Sequence, residues 1–399
     1  MRDRCPVCDQ PAPAELARSF EMPILMNRIY STPEAGRSAA RAPLEFVACR
    51  SCGFAWNRAF DASLIVYDEE YENDQTFSPA FRAHMEARAR DVVASVPAGE
   101  PICYLEVGCG QGRFIEEIVK AADGRLRAAE GFDPAWRGRE GEGPAGSRIY
   151  RAYFGVETAS RLLQAPNVVV TRHTIEHVPD PLEFLVAIRE ALGPDSPARL
   201  WIETPCVDWI VRHRAMQDFF YEHCSLFTAS SLALVLRRAG FESPRVEHVF
   251  GGQYLWAEAL AGHPADEAVA EIPADHEYLD RVRDDFVRHW RQSLVRASAQ
   301  GPVALWGAGA KGVSFSILID PDHDTINHVV DVNPAKQGHF LPGSGLPVVS
   351  PEESALRNPG TIFVMNVNYL DEIAVTAREV GLTARLVPID DGESDEDQH

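Results

Sequence analysis

The stretch Ile102-Cys103-Tyr104-Leu105-Glu106-Val107-Gly108-Cys109-Gly110-Gln111-Gly112-Arg113-Phe114 constrains the fold more than any other part of the chain. The run before Glu106 is apolar, as in a parallel strand covered on both faces. Glycines at 108, 110 and 112 then remove every second side chain. That permits positive φ and lets backbone N–H groups come close to a ligand. From Phe114 the apolar spacing turns helical through Ile115, Ile118 and Val119. A strand, a glycine turn and a helix predict an open α/β sheet, whose ligands bind outside the carboxyl ends of the strands. Alone, the triplet is equally consistent with a tight turn that holds nothing.

The neighbouring segments decide. Leu126 to Phe132 reads as a second strand closed by Asp133. An acid at that point, about 20 residues past the loop, is placed to accept hydrogen bonds from both ribose hydroxyls. Glu130 is a weaker candidate. Ser147 to Tyr153, Asn167 to Thr171 and Ala198 to Pro205 read as the third to fifth strands, with a helix from Leu182 to Leu192. Phe77 to Val96 is helical in pattern and precedes the glycine stretch. This alternation means a parallel sheet with helices on both faces. With 399 residues, two or three domains are expected.

Two Cys-x-x-Cys pairs, Cys5/Cys8 and Cys49/Cys52, flank residues 9–48. Four thiolates on two tight turns complete a closed tetrahedral shell, the arrangement of structural zinc. A closed shell leaves no position for water, so this metal is expected to be structural. Phe20 to Phe46 reads as hairpin and loop. Beyond it, Tyr67 and Tyr71 lie four apart and are expected to share a helical face. They either pack or, for Tyr71, cover the ligand of the central domain.

Past the fifth strand comes Gln217-Asp218-Phe219-Phe220-Tyr221-Glu222-His223-Cys224. A Glu-His pair among aromatics offers an imidazole that takes a proton near neutral pH. Glu222 can raise its pKa or bind a hydroxyl, and Tyr221 adds a phenol. A buried histidine bonded to backbone is the alternative. His276 to Ala297 reads as a long amphipathic helix, with Tyr278, Val282, Phe286, His289 and Leu294 near helical spacing. A second glycine loop follows: Trp306-Gly307-Ala308-Gly309-Ala310-Lys311-Gly312, with Asp331 about 20 residues on, a dinucleotide fingerprint if taken alone. Lys311 and Lys336 are suited to neutralise phosphates. Ile362 to Tyr369 reads as a further buried strand with a polar tip that includes Asn368 and Tyr369.

Glu-x-Gly-x-Gly-x-Gly, Gly-Phe-Asp-Pro, Ile-Glu-His-Val-Pro-Asp-Pro and Ile-Glu-Thr-Pro together resemble class I S-adenosylmethionine-dependent methyltransferases. The resemblance implies that Gly108, Gly110, Gly112 and Asp133 contact the cofactor and that Glu106 supports the loop. It also implies that His173 and Thr174 lie at the cofactor rim. The Gly-x-Gly-x-Gly spacing favours this family over an NAD enzyme. The whole layout resembles the narrower family of sugar C-methyltransferases, down to Asp-Val-Asn-Pro-Ala-Lys-Gln-Gly (331–338). That resemblance implies a small zinc-binding domain (1–75) and a Rossmann-like methyltransferase core (76–260). A second Rossmann-like domain (275–390) and an acidic tail (391–399) complete the chain. It implies a nucleotide-sugar substrate, held partly by Lys311, Asn333, Lys336, Asn368 and Tyr369, and methylation at C3 beside a C4 ketone. His223 is the implied base and Glu222 its partner. The family's motif is Tyr-x-Glu-His; here Phe220 stands in the tyrosine position and Tyr221 in the variable one. The other readings are methylation of oxygen or nitrogen, a bifunctional protein with NAD at 307–312, and a two-ligand binding protein.

The formal net charge of −21 argues against long nucleic acid, which needs a basic face. There is no run of about 18 apolar residues to span a membrane, and the first residues lack a signal-peptide core. With eight cysteines, four of them paired for metal, a reducing cytoplasm is expected.

Overall fold

The computed structural model describes residues 3–10, 14–15, 20–67, 70–264 and 276–389. The expected acidic tail lies outside them, as do Asp68, Glu69 and the side chains of residues 276–282, including Tyr278 and Val282.

The largest sheet has seven strands. They are β1 (Ile102–Val107), β2 (Leu126–Phe132), β3 (Arg148–Tyr150), β4 (Val168–Arg172), β5 (Arg199–Pro205), β6 (Phe241–Val249) and β7 (Tyr254–Ala261). Their order is β6-β7-β5-β4-β1-β2-β3. The first five run parallel, while β7 is antiparallel to both β5 and β6. The order reverses between β1 and β4, which opens a crevice at their carboxyl ends. Helices α1 (Pro79–Ala94) and α2 (Arg113–Ala121) cover one face, burying Phe81, Met85, Phe114 and Ile118 with Tyr104 and Trp256. Helices α3 (Pro181–Leu192) and α4 (Ala229–Arg238) cover the other, through Leu185, Ile188, Leu232 and Val235. Two-sided cover explains why β1 is almost wholly apolar and β4 opens on three valines. At the start of α1, Ser78 accepts from the Phe81 N–H and Pro79 takes the first turn, so the helix begins there.

A second sheet is parallel throughout. Strands β8 (Val303–Trp306), β9 (Ile326–Val330), β10 (Val348–Val349), β11 (Thr361–Val364) and β12 (Arg385–Pro388) lie in the order β10-β9-β8-β11-β12. Helix α5 (His276–Ser298) leads into it and buries Phe286, Trp290 and Leu294 beside α6 (Ala310–Ile319). The segment read as one strand through Tyr369 breaks after Val364 and ends in a 3₁₀ turn, Val367–Tyr369.

The N-terminal part pairs Phe20–Pro23 with Arg41–Leu44. A separate four-stranded sheet holds Ala14–Glu15, Phe46–Ala48, Ala55–Asn57 and, unexpectedly, Ser225–Leu226 from the central part of the chain. The helical face expected for Tyr67 and Tyr71 does not form. Tyr71 instead bridges to Arg28 in extended backbone, and the two rings still meet edge to face at 4.8 Å. One apolar cluster runs from Met22 and Phe46 through Phe219 and Leu226 to Trp290 and Phe363, so all three parts share a core.

Candidate functional site: a cavity shared by three parts of the chain

A cavity of about 630 Å³ lies where the three parts meet, in the size range of small-molecule sites. Asn27 and the segment from Tyr71 to Pro79 form one wall, and His173, Glu176, His177, Asp218, Phe220 and His223 a second. The second glycine loop, Asn333, Lys336 and Tyr369 form the third.

The first glycine loop adjoins this space. Gly108, Gly110 and Gly112 have φ of 75°, 54° and 76°. A Cβ on Gly108 would lie 2.2 Å from Thr174 Oγ1, whereas one on Gly110 would meet nothing within 4 Å. Gly108 is therefore demanded by packing, and Gly110 leaves open space that a ligand can fill. Asp133 accepts from the Gly110 N–H and the Ala135 N–H, both at 2.7 Å. Burial pushes its carboxyl up, against those two hydrogen bonds. Thr174 donates to the Arg172 carbonyl at 3.0 Å and sits against Gly108. Beyond the loop, Arg113 bonds Asp74 at 3.2 Å, and Arg137 donates to the Tyr71 carbonyl and approaches Glu72 at 3.7 Å. These arginines hold the segment 71–74 beside the loop.

Two expectations change here. Glu106 is buried and takes its hydrogen bond from Tyr104 at 3.1 Å, not from a loop N–H. Burial pushes it up to about 8, against the pull of Arg172. The Tyr71 ring faces the shared cavity, its hydroxyl toward Asn27 and Glu222, so it is no lid over the glycines.

His223 lines the cavity, edge on to His177 at 4.9 Å and to Phe220 at 4.8 Å. Its Nδ1 is buried without a hydrogen-bond partner. Burial first, then His177, push it down to about 3, while Glu176 acts in the opposite sense. The imidazole is thus neutral at neutral pH, and its surroundings work against its protonation. Glu222 does not line the cavity; its Oε2 accepts the Met26 N–H at 2.8 Å, and burial pushes it up to about 7. Tyr221 is a correction. It is wholly buried, its hydroxyl accepts the Asp61 N–H at 2.9 Å, and its ring packs on Phe60 at 5.3 Å. The chain is drawn that way because Cys224 accepts from Asn57 and Ser225 pairs with Trp56. Phe220, without a hydroxyl, faces the cavity in place of Tyr221.

Sequence reading missed Glu176 and His177. Both lie on the 3₁₀ turn Ile175–His177 that follows β4. Glu176 Oε2 accepts from Thr204 at 3.1 Å, and Oε1 lies 3.4 Å from His173 Nδ1. His177 Nδ1 is 3.1 Å from the Tyr67 hydroxyl. One polar atom from each of Glu176, His177 and His223 falls within 4.8 Å of the others. The available signal was two adjacent polar residues, four after the strand, in the motif that already supplied His173. His173 itself holds φ of 48°, an unfavourable value for a residue with a Cβ. Beneath it Glu203 is fully buried, bound to Arg172 at 2.6 Å and to His84.

On the third wall, Lys311 pairs with Asp218 at 2.8 Å and lies over the Trp209 ring at 5.3 Å. It is therefore already neutralised. Lys336 bonds the Ala308 carbonyl at 3.1 Å and the Asn27 amide oxygen at 3.4 Å, both neutral acceptors. Asn333 donates to Glu72 at 3.1 Å and Tyr369 to Gln75 at 3.0 Å, tying this wall to the first. Asn368 is outside the wall: its amide is spent on the Phe250 carbonyl and Gln253, at 3.1 and 3.2 Å.

Away from the cavity, Cys5, Cys8, Cys49 and Cys52 are buried together, with sulfur separations of 3.6 Å (Cys5–Cys52) and 3.4 Å (Cys8–Cys49). Metal–sulfur bonds of ~2.3 Å in a tetrahedron give edges of about 3.8 Å, so the group fits a metal ion.

Comparison with known proteins bears on both sheets. Residues 81–244 match the family described as a methyltransferase domain, and residues 259–385 match the C-methyltransferase C-terminal domain. The chain is 27% identical over 400 residues to the C-methyltransferase NovU of Streptomyces niveus, covering 94% of this chain and 92% of NovU. Solved structures with a likeness include the CurJ carbon methyltransferase, at 13% identity and a TM-score of 0.35. That match spans 47% of this chain and only 57% of CurJ. The plantazolicin methyltransferase BpumL, solved with S-adenosylhomocysteine, gives 16% identity and a TM-score of 0.35, over 46% of this chain and 86% of its own.

Proposed function

We propose that this S-adenosylmethionine-dependent methyltransferase methylates a carbon beside a ketone, on a sugar carried by a nucleoside diphosphate. One observation carries the reading: His223, a half-buried imidazole kept neutral by its surroundings, shares a single cavity with Lys336 and the second glycine loop. A proton acceptor thus stands across from a cation and a helix N-terminus, both suited to phosphate oxygens. The similarity to NovU over most of both chains supports carbon as the acceptor.

The open space at Gly110 and the carboxylate of Asp133 suit the cofactor, with Gly108, Gly112, His173 and Thr174 shaping its surroundings. When bound, S-adenosylmethionine supplies an electrophilic methyl group on a cationic sulfur. His223 takes the proton from the carbon that receives the methyl, which the neighbouring ketone acidifies. Phe220 excludes water on that side. Lys336 and the N–H groups at the start of α6 hold the diphosphate. Lys311 sets the shape of that wall through Asp218. Cys5, Cys8, Cys49 and Cys52 would hold one structural zinc, and elemental analysis should then find one equivalent per chain.

The experiment is incubation with S-adenosylmethionine and a panel of nucleoside-diphosphate 4-keto-6-deoxyhexoses, followed by NMR of the product. A new methyl on the carbon next to the ketone is expected, with the hydrogen there exchanging for solvent deuterium. His223→Ala should lower kcat by about 10²- to 10⁴-fold while still binding S-adenosylhomocysteine. A methyl on oxygen or nitrogen, or a fully active His223→Ala, overturns the reading.

A further inference from the structure

The base must become an imidazolium inside a partly enclosed cavity, and the adjacent Glu222 is badly placed to balance that charge. Its Oε2 is committed to the Met26 N–H, it faces Tyr71, and it is absent from the cavity wall. The groups that do face His223 come from three elements. Glu176 and His177 sit on the turn after β4, His173 closes β4, and Phe220 precedes His223 on its own segment. Tyr67 stands behind His177, and Tyr71 lines the adjoining wall. Only Glu176 among these is an acid.

Glu176 is 1% exposed, and its buried Oε1 is held only by His173 Nδ1, at 3.4 Å. His223 Nδ1 is buried without a hydrogen-bond partner, and one polar atom of Glu176 lies within 4.8 Å of one of His223. Thr204 fixes the other carboxylate oxygen at 3.1 Å, which leaves Oε1 to the histidines. A buried ring nitrogen without a partner beside a loosely held carboxylate oxygen is costly unless the two meet at some stage of the reaction.

We propose that Glu176, rather than Glu222, is the positioning residue of His223: it orients the imidazole and balances the charge that forms when His223 takes the substrate proton. This rests on His223 being the base. Before proton transfer Glu176 leans on His173, 3.4 Å away. As His223 gains its proton at the ring, the carboxylate becomes its counter-ion. No bond to Glu176 forms or breaks, and the proton leaves with solvent after product release.

The test is a pH profile of kcat/KM for wild type, Glu176→Gln, Glu176→Asp, Glu222→Gln and His223→Ala. The substrate is the nucleoside-diphosphate 4-keto-6-deoxyhexose that turns over best, and S-adenosylhomocysteine binding is the check on folding. A carboxylate favours the protonated imidazole, so its removal weakens the base. Glu176→Gln should lower kcat by about 10²-fold with KM little changed, and move the acid limb to lower pH. Glu176→Asp, which keeps the charge, should restore the limb's position. Glu222→Gln should leave the limb where it is. An unmoved limb in both Glu176 variants, or a limb that moves in Glu222→Gln instead, overturns the proposal while an inactive His223→Ala keeps the base assignment. A fully active His223→Ala defeats the base assignment itself.

Discussion

The two glycine loops are built alike and have different surroundings. In each, the strand after the loop ends in an aspartate that accepts two backbone N–H groups. Asp133 takes those of Gly110 and Ala135, and Asp331 takes those of Ala308 and Asn333, all at 2.7 or 2.8 Å. In each loop one glycine is spent on packing, Gly108 against Thr174 and Gly312 against the Gly307 carbonyl, and one has room before it, Gly110 and Gly309. The difference lies in what the loops line. The first loop stands outside the wall of the shared cavity, while Gly307, Gly309 and Gly312 belong to it. A glycine fingerprint with a downstream acid reports how a strand feeds a helix. It does not say which ligand, if any, the turn receives.

The comparison can be broken in order of severity. Cys52→Ser should be the most damaging change, because structural zinc in small domains contributes on the order of 10 kcal/mol to folding. Turnover should vanish, since the Cys-rich sheet holds the His223 segment, and S-adenosylhomocysteine binding then reports how far the first loop depends on the core that the cysteines share with Leu105 and Val107. Calorimetric titration checks this, and equal loss of both ligands would mean that the loops are not independent. Lys311→Met should come next, leaving Asp218 buried and unpaired at a cost of about 3–5 kcal/mol. The double variant with Asp218→Asn should recover most of the melting temperature, and neither should change affinity for S-adenosylhomocysteine.

Glu222, on the segment between the loops, gives a pH test. Its folded pKa is raised to about 7 from 4.5. The stability it contributes is complete below 4.5 and disappears as pH rises through 7. Glu222→Gln should match wild type near pH 4 and exceed it by about 3 kcal/mol at pH 8 in urea unfolding. The smallest contrast is between the aspartates. Asp133→Asn should weaken cofactor binding by about 10-fold with little change in sugar KM, because a charged hydrogen-bond partner is worth about 1.5–3 kcal/mol. Asp331→Asn should reverse that pattern.

Much of this was legible in the sequence because it is local. Apolar runs, glycines and terminal acids announce each strand–turn–helix unit within about 30 residues. The five parallel strands were read in this way, whereas β6 and the antiparallel β7 were not anticipated. What was not legible depends on partners far along the chain. Tyr221 faces Asp61, and Asn368 faces Phe250 and Gln253; no periodicity in residues 217–228 or 362–369 could reveal either. Lys311 looked like a phosphate ligand because Asp218, its neutralising partner, lies in another part of the chain. Glu176 and His177 were visible as residues but not as a site, since their meaning comes from His223 crossing over from beyond β5.

That crossing has a consequence in time. Ser225–Leu226 completes the N-terminal sheet by pairing with Ala55–Asn57, synthesised about 170 residues earlier. Until then Ala55–Asn57 is an open edge, a template for any strand that passes. A ribosome making this chain must therefore carry an unfinished N-terminal sheet through the synthesis of β1 to β5. The strand that finally closes the sheet immediately follows the proposed base, so completion of the oldest part of the molecule and assembly of its reactive centre are one folding event.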